Sequence, residues 1–236
     1  MSIEPLLKDK INSIIELFTN GQKIEALETI KTLADKHPNE SLLQNINGVC
    51  YKETGQLELA VKCFEKALVI KPDFADAHYN LGLTFQELNQ IDAAVKSYKE
   101  TLLIQSNYAQ AHNNLGIIYK ELGKTEDAIK SYEQVIILQP DNAEAHHNLG
   151  NALNELGRLD EAIKSYEQAL SLQPNYYEIH NNLGSILHEI GQTDRALNSY
   201  KEALSINPNF ADAHNNIGII HQALGHFDEA AELYQK

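Results

Sequence analysis

The chain has 236 residues, 43% of them hydrophobic and 22% charged, so it can bury a core and does not have a disordered composition. Thirty-three acidic side chains against 19 basic ones leave a formal charge of −14, which disfavours nucleic acid and anionic membrane as partners. Two cysteines, Cys50 and Cys63, are too few for a disulfide framework and fit a reducing, cytoplasmic setting.

At the N-terminus, "MSIEPLLKDKINSIIELF" mixes charges with apolar residues at helical spacing and has no apolar core of signal-peptide type. No apolar run approaches the ~20 residues of a membrane span. From here on the chain repeats itself. Gly48, Gly82, Gly116, Gly150, Gly184 and Gly218 recur every 34 residues, as do Ala26, Ala60, Ala94, Ala128, Ala162, Ala196 and Ala230. An aromatic column runs Phe64, Tyr98, Tyr132, Tyr166, Tyr200, Tyr234.

Each unit reads as helix, turn, helix, turn. The turn between its two helices carries a second glycine column: Gly21, Gly55, Gly123, Gly157, Gly191 and Gly225, with Asn89 at the vacant place. Asn is the next residue type to tolerate positive φ, so this column is expected to serve backbone geometry. The acids Glu58, Asp92, Glu126, Asp160, Asp194 and Asp228 suit the first turn of the second helix. Pro38, Pro72, Pro140, Pro174 and Pro208 end that helix, with Ser106 filling the gap. The residue after each is Asn or Asp (Asn39, Asp73, Asn107, Asp141, Asn175, Asn209) and is expected to cap the next helix.

These columns resemble the tetratricopeptide repeat family, whose pattern is met by Leu149-Gly150, Ala162, Tyr166, Ala169 and Pro174. The resemblance implies an all-α fold, an α-solenoid of tandem helix-turn-helix repeats forming a right-handed superhelix with first helices lining a concave groove. Residues 1–40 form a degenerate N-terminal capping repeat, with Ile14 in the glycine column. Repeats follow at 41–74, 75–108, 109–142, 143–176, 177–210 and 211–236, the last incomplete. No capping helix follows, so the chain is expected to be an excerpt of a longer polypeptide, or to self-associate through the open end.

At about 100° per residue, Asn114 lies opposite the packing residues Leu115, Gly116 and Tyr119, with Gln110 and Glu121 beside it. Gly116 is expected to let the helices approach opposite the small Ala128. The groove then carries a carboxamide column of Asn80, Asn114, Asn148, Asn182 and Asn216, edged by Glu87, Glu121, Glu155 and Glu189. Helices ~8–10 Å apart present one Asn to about every third residue of an extended peptide rising ~3.3 Å per residue. A carboxamide can pair with a peptide N–H and C=O together. The column resembles the asparagines lining the repeat superhelix of O-GlcNAc transferase, which implies main-chain binding at these five positions. Asn can equally bond between neighbouring helices and hold the superhelix.

His78, His112, His146, His180 and His214 sit on successive repeats, too far apart to share one zinc, and are expected to fill a packing site. His221 and His226 form no ligand constellation legible in sequence. "GKT" at 123–125 lacks the glycine a phosphate loop needs five residues earlier, where Ile118 stands. Too few basic residues face the groove to clamp a C-terminal carboxylate. The expectation is a non-enzymatic scaffold without cofactor or metal. Its partner is expected to be a protein or peptide segment, extended and neutral to basic. The alternative is the substrate-recruiting N-terminal region of a larger enzyme, such as a glycosyltransferase, with its catalytic domain beyond residue 236.

Overall fold

A computed structural model of the chain describes residues 5–235. Within them the fold is all-α, a solenoid built of tandem helical hairpins. The hairpins are α1 (Pro5–Thr19) with α2 (Lys23–Lys36), α3 (Ser41–Glu53) with α4 (Leu57–Ile70), and α5 (Ala75–Glu87) with α6 (Ile91–Ile104). Then come α7 (Ala109–Glu121) with α8 (Thr125–Leu138), α9 (Ala143–Glu155) with α10 (Leu159–Leu172), α11 (Tyr177–Glu189) with α12 (Thr193–Ile206), and α13 (Ala211–Ala223) with α14 (Phe227–Leu233). The chain divides into two compact units, Met1–Asn114 and Leu115–Lys236, so the division falls inside α7 rather than at a repeat junction. No helix among the described residues is long and apolar enough to cross a membrane.

The turn column behaves as backbone chemistry requires. The six glycines at these turns have φ between 68° and 82°, and Asn89 takes 57° in the same role. At the end of α7 the Gly123 N–H donates to the Lys120 carbonyl at 3.0 Å and the Lys124 N–H to the Tyr119 carbonyl at 2.8 Å. This paired closure satisfies carbonyls the helix end would otherwise strand, and it needs a left-handed residue between. Asn89 and Gln90 repeat it on Gln86 and Phe85, at 3.0 and 2.8 Å.

The other glycine column makes a different contact from the one expected. A Cβ added at Gly116 would stand 2.6 Å from Cε1 of Tyr132, and one at Gly184 would stand 2.7 Å from Cε1 of Tyr200. The glycine therefore seats a buried aromatic ring from the second helix, and close backbone approach against the alanine column is not what it is for. The Ala column is itself buried, and Ala128, Ala162 and Ala196 share one core cluster with Tyr132, Tyr166 and Tyr200. In the first hairpin the sizes are exchanged: Ile14 fills the glycine place, Ile30 replaces the aromatic, and both are buried in one cluster.

The helix caps also differ from expectation. The residue before α5, α11 and α13 is Phe74, Tyr176 and Phe210, one position after the expected Asp or Asn, and none of the three makes a side-chain cap bond. The aromatic at this place packs instead: Tyr176 lies 5.1 Å from His147 and Phe210 lies 4.9 Å from Tyr177, ring centre to ring centre. Asn142, at the same place before α9, does cap by side chain, accepting from the Ala145 N–H at 2.9 Å.

The histidine column is a turn clasp. Nε2 of His78, His112, His146 and His180 lies 3.0 Å from the carbonyl oxygen six residues earlier, on Pro72, Ser106, Pro140 and Pro174. His214 does the same to Pro208 at 2.8 Å. A carbonyl only accepts, so Nε2 carries the proton and donates. The imidazole holds the turn entering its own helix.

Candidate peptide-binding face

In each unit, carboxamides of the first helices reach back to the preceding repeat. In the first unit, Asn80 Nδ2 donates to Oδ1 of the buried Asn45 on α3 at 3.1 Å. Asn114 Nδ2 donates to the hydroxyl of Tyr98 at 3.2 Å and of Tyr79 at 3.4 Å. Burial pushes the Tyr98 phenol well above its ordinary range, so it stays protonated and donates to Gln86 Oε1 at 2.9 Å while accepting from Asn114. Tyr79 packs at a tilt against Tyr98 and Tyr108, with ring centroids 5.7 and 4.8 Å away.

In the second unit, Asn182 Nδ2 donates to Asn151 Oδ1 at 3.1 Å, an oxygen that also accepts from the Tyr166 hydroxyl at 2.7 Å. Asn216 Nδ2 donates to Oδ1 of the buried Asn181 at 3.0 Å. His147 Nε2 lies 3.1 Å from Asn151 Nδ2 and 3.5 Å from Asn182 Nδ2. Two amide donors converge on it, so the neutral Nδ1–H tautomer fits, with Nε2 accepting. Burial lowers the His147 pKa, Glu178 opposes that shift and Lys120 adds to it. Asn148 is half-buried and makes no such bond within its unit.

Asn80, Asn114, Asn182 and Asn216 thus each spend their donor on the preceding repeat, 16 to 35 residues back, and keep their acceptor. Oδ1 of Asn80, Asn114, Asn182 and Asn216 takes no hydrogen bond among the described residues, and none of these oxygens is a buried unpartnered atom. The inter-repeat bond and the outward oxygen coexist in one side chain.

The glutamates divide. Glu87 is ion-paired with Lys52 at 2.9 Å, and Lys52 also meets Glu53 at 3.3 Å. Burial alone would lower the Lys52 pKa, yet the bonds to Glu87 and Glu53 raise it. Glu155 accepts from the Thr125 hydroxyl at 3.1 Å. Glu121 and Glu189 are exposed. Beside the predicted columns stand Asn45, Tyr79, His147, Asn151 and Asn181, which sequence reading missed. Asn45 and Asn181 lie 35 residues before the Asn they serve, one more than the repeat period.

Among known families, the TPR repeat profile matches residues 48–89, 85–123, 117–155, 150–191 and 184–225. The chain belongs to the tetratricopeptide repeat family, whose members are protein-interaction scaffolds, and no catalytic family is indicated. Crystalline MamA is similar, with 28% identity and a TM-score of 0.63 over 66% of this chain and 91% of that one. The C-terminal part of a TPR repeat-containing protein from Cytophaga hutchinsonii shares the fold, with 18% identity and a TM-score of 0.76 over 95% of this chain and 92% of that one. The peroxisomal targeting signal receptor of Kluyveromyces lactis is 28% identical over 67 residues, which are 28% of this chain and 12% of the receptor. The chain therefore matches only a small part of that receptor's length.

Proposed function

We propose that, in each unit taken by itself, the face built by the first helices binds an extended polypeptide through its main chain. The open Oδ1 atoms of Asn80, Asn114, Asn182 and Asn216 accept peptide N–H groups, and Asn148 continues the column in the second unit. The single observation that carries this reading is that each of the four has its Nδ2 tied down while Oδ1 remains free. Such an amide cannot rotate to satisfy itself, so its acceptor is oriented before a ligand arrives, and less ordering is left for binding to supply. The net charge of −14, with Glu121 and Glu189 exposed beside the column and Glu87 and Glu155 at its edge, favours a neutral to basic segment.

The test is selection of peptides from a displayed random library against the full chain, followed by affinity measurement on variants. Asn182→Ala with Asn216→Ala removes two acceptors and should weaken the selected peptides about 10–30-fold, at roughly 1 kcal/mol per hydrogen bond. Asn182→Asp keeps an acceptor and drops the donor to Asn151, so it should cost stability while holding affinity for basic peptides. Equal affinity of wild type and the Ala pair would refute the reading.

A further inference from the structure

The last hairpin departs from the other repeats at His221 and His226, and both meet Glu229 in space. His221 stands where earlier repeats carry Leu153 or Leu187, His226 where they carry Arg158 or Gln192, and Glu229 where they carry Glu161 or Arg195. The second and third places are paired in other repeats as well: Arg158 bonds Glu161 at 2.8 and 2.6 Å, and Arg195 bonds Gln192 at 2.5 Å. The pair His226–Glu229 is one more version of that contact. What is new is a third coordinating group, an imidazole in a place that elsewhere holds Tyr51, Phe85, Tyr119, Leu153 or Leu187.

We propose that His221, His226 and Glu229 bind a zinc ion. Nδ1 of His221 and Nδ1 of His226 each lie 3.4 Å from the same oxygen, Oε2 of Glu229, and one ligand atom from each of the three residues lies within 4.8 Å of the others. Ligands ~2.1 Å from zinc in a tetrahedron are about 3.4 Å apart, so both edges already have the length that coordination requires. Nδ1 of His221 is buried and makes no hydrogen bond, even though Glu229 is at that distance. Atoms aimed at a shared third point, not at each other, leave this signature. The turn is fixed before any metal binds: the His226 N–H donates to the His221 carbonyl at 2.9 Å, and Gly225 between them takes φ 82°. Two imidazoles and one carboxylate form a donor set suited to zinc, and they leave a fourth position for water or a group from a partner. The ion would pin the short α14 to the end of α13.

Titrate the full chain with zinc chloride against a competing chelator, and with cobalt(II) as a spectroscopic probe. The expectation is one site per chain with the intense ligand-field absorption of tetrahedral cobalt. His221→Leu and His226→Gln install residues that the neighbouring repeats already carry, so folding should survive, as circular dichroism would verify. Each should weaken zinc about 100-fold or more, because a direct ligand is lost where even outer-shell changes cost 10–100-fold. Zinc affinity in the double variant equal to that of the wild type would overturn the site, as would an octahedral cobalt spectrum. The other histidine-bearing turns remain intact in both variants and serve as the internal control.

Discussion

Gly184→Ala isolates the contact between the helical glycines and the aromatic column. In an ordinary helix interior this change gains about 1 kcal/mol through backbone propensity. Here the new Cβ would stand 2.7 Å from Cε1, 2.8 Å from Cδ1 and 3.0 Å from Cζ of Tyr200. Ordinary carbon contacts lie near 3.5–4.0 Å, so the ring must retreat by close to 1 Å. Tyr200 is 2% exposed, and its hydroxyl meets Ser185 Oγ at 3.3 Å, so the retreat disturbs the core and one polar contact. Overpacking of this kind costs about 1–3 kcal/mol. With the upper half of that range set against the propensity gain, the variant should lose about 1–2 kcal/mol. For a chain of this size, Tm falls by about 2–4 °C for each kcal/mol. Urea and thermal unfolding of Gly184→Ala, Gly184→Ile, Tyr200→Ile and the double variant Gly184→Ile with Tyr200→Ile form the assay. The double variant copies the Ile14 and Ile30 exchange of the first hairpin, so it should recover part of the summed loss of its single changes. A Gly184→Ala protein more stable than wild type by about 1 kcal/mol, with no recovery in the double variant, would show that the ring does not rest on the glycine.

Asn89→Gly should be neutral or slightly stabilising at φ 57°, whereas Asn89→Ala should cost about 1 kcal/mol, as read by chemical denaturation. His147 is held neutral by burial, so its folded pKa lies below the unfolded value near 6.5 and the unfolded chain takes up the proton first. Stability from this group is therefore complete above about pH 6.5 and is lost as pH falls toward the lower folded value, a dependence that His147→Asn should flatten. Burial, aided by Glu53, pushes the Cys50 thiol up to about 11, and burial also raises Cys63. Both should resist iodoacetamide in the native protein at pH 8 and react on unfolding, with the protection read by mass spectrometry.

Much of the backbone was legible because it obeys one-residue rules. Asn89 standing in for glycine announced positive φ by itself, and the prolines and acids marked helix ends that the structure places as expected. Contacts between helices were less legible. A helical wheel gives the face on which Gly116 lies, but not whether Ala128 or Tyr132 reaches it, since both follow on the same packed face of α8. The caps failed for a related reason: the aromatic residue before the helix has a packing partner in the preceding repeat, and that contact sets where the helix starts. The helical wheel sets the asparagine column opposite the packing residues, but it does not reveal which groups its donors reach. Asn45, Tyr79, His147 and Asn181 share one 34-residue register, but the residue type changes along it, and Tyr98 and Asn151 join from other registers, so the partners do not stand out as a column of one residue type. One consequence is energetic. The bonds from Asn114 and Asn182 to the preceding repeat give each about 1 kcal/mol of share in stability, so replacing either by Ala should lower the melting temperature as well as remove an acceptor.

The imidazole clasp has a bearing on how such chains can be cut and rejoined. His78 grips Pro72 from across the seam that a 34-residue parsing would choose, and His112, His146, His180 and His214 do likewise at their own seams. A cassette excised at that seam surrenders one half of every grip to a stranger's sequence. Breakpoints at the left-handed turns keep proline carbonyl and histidine on one inherited piece, so recombined arrays joined at Gly123 or Gly157 should preserve native junctions more faithfully than arrays joined after the prolines.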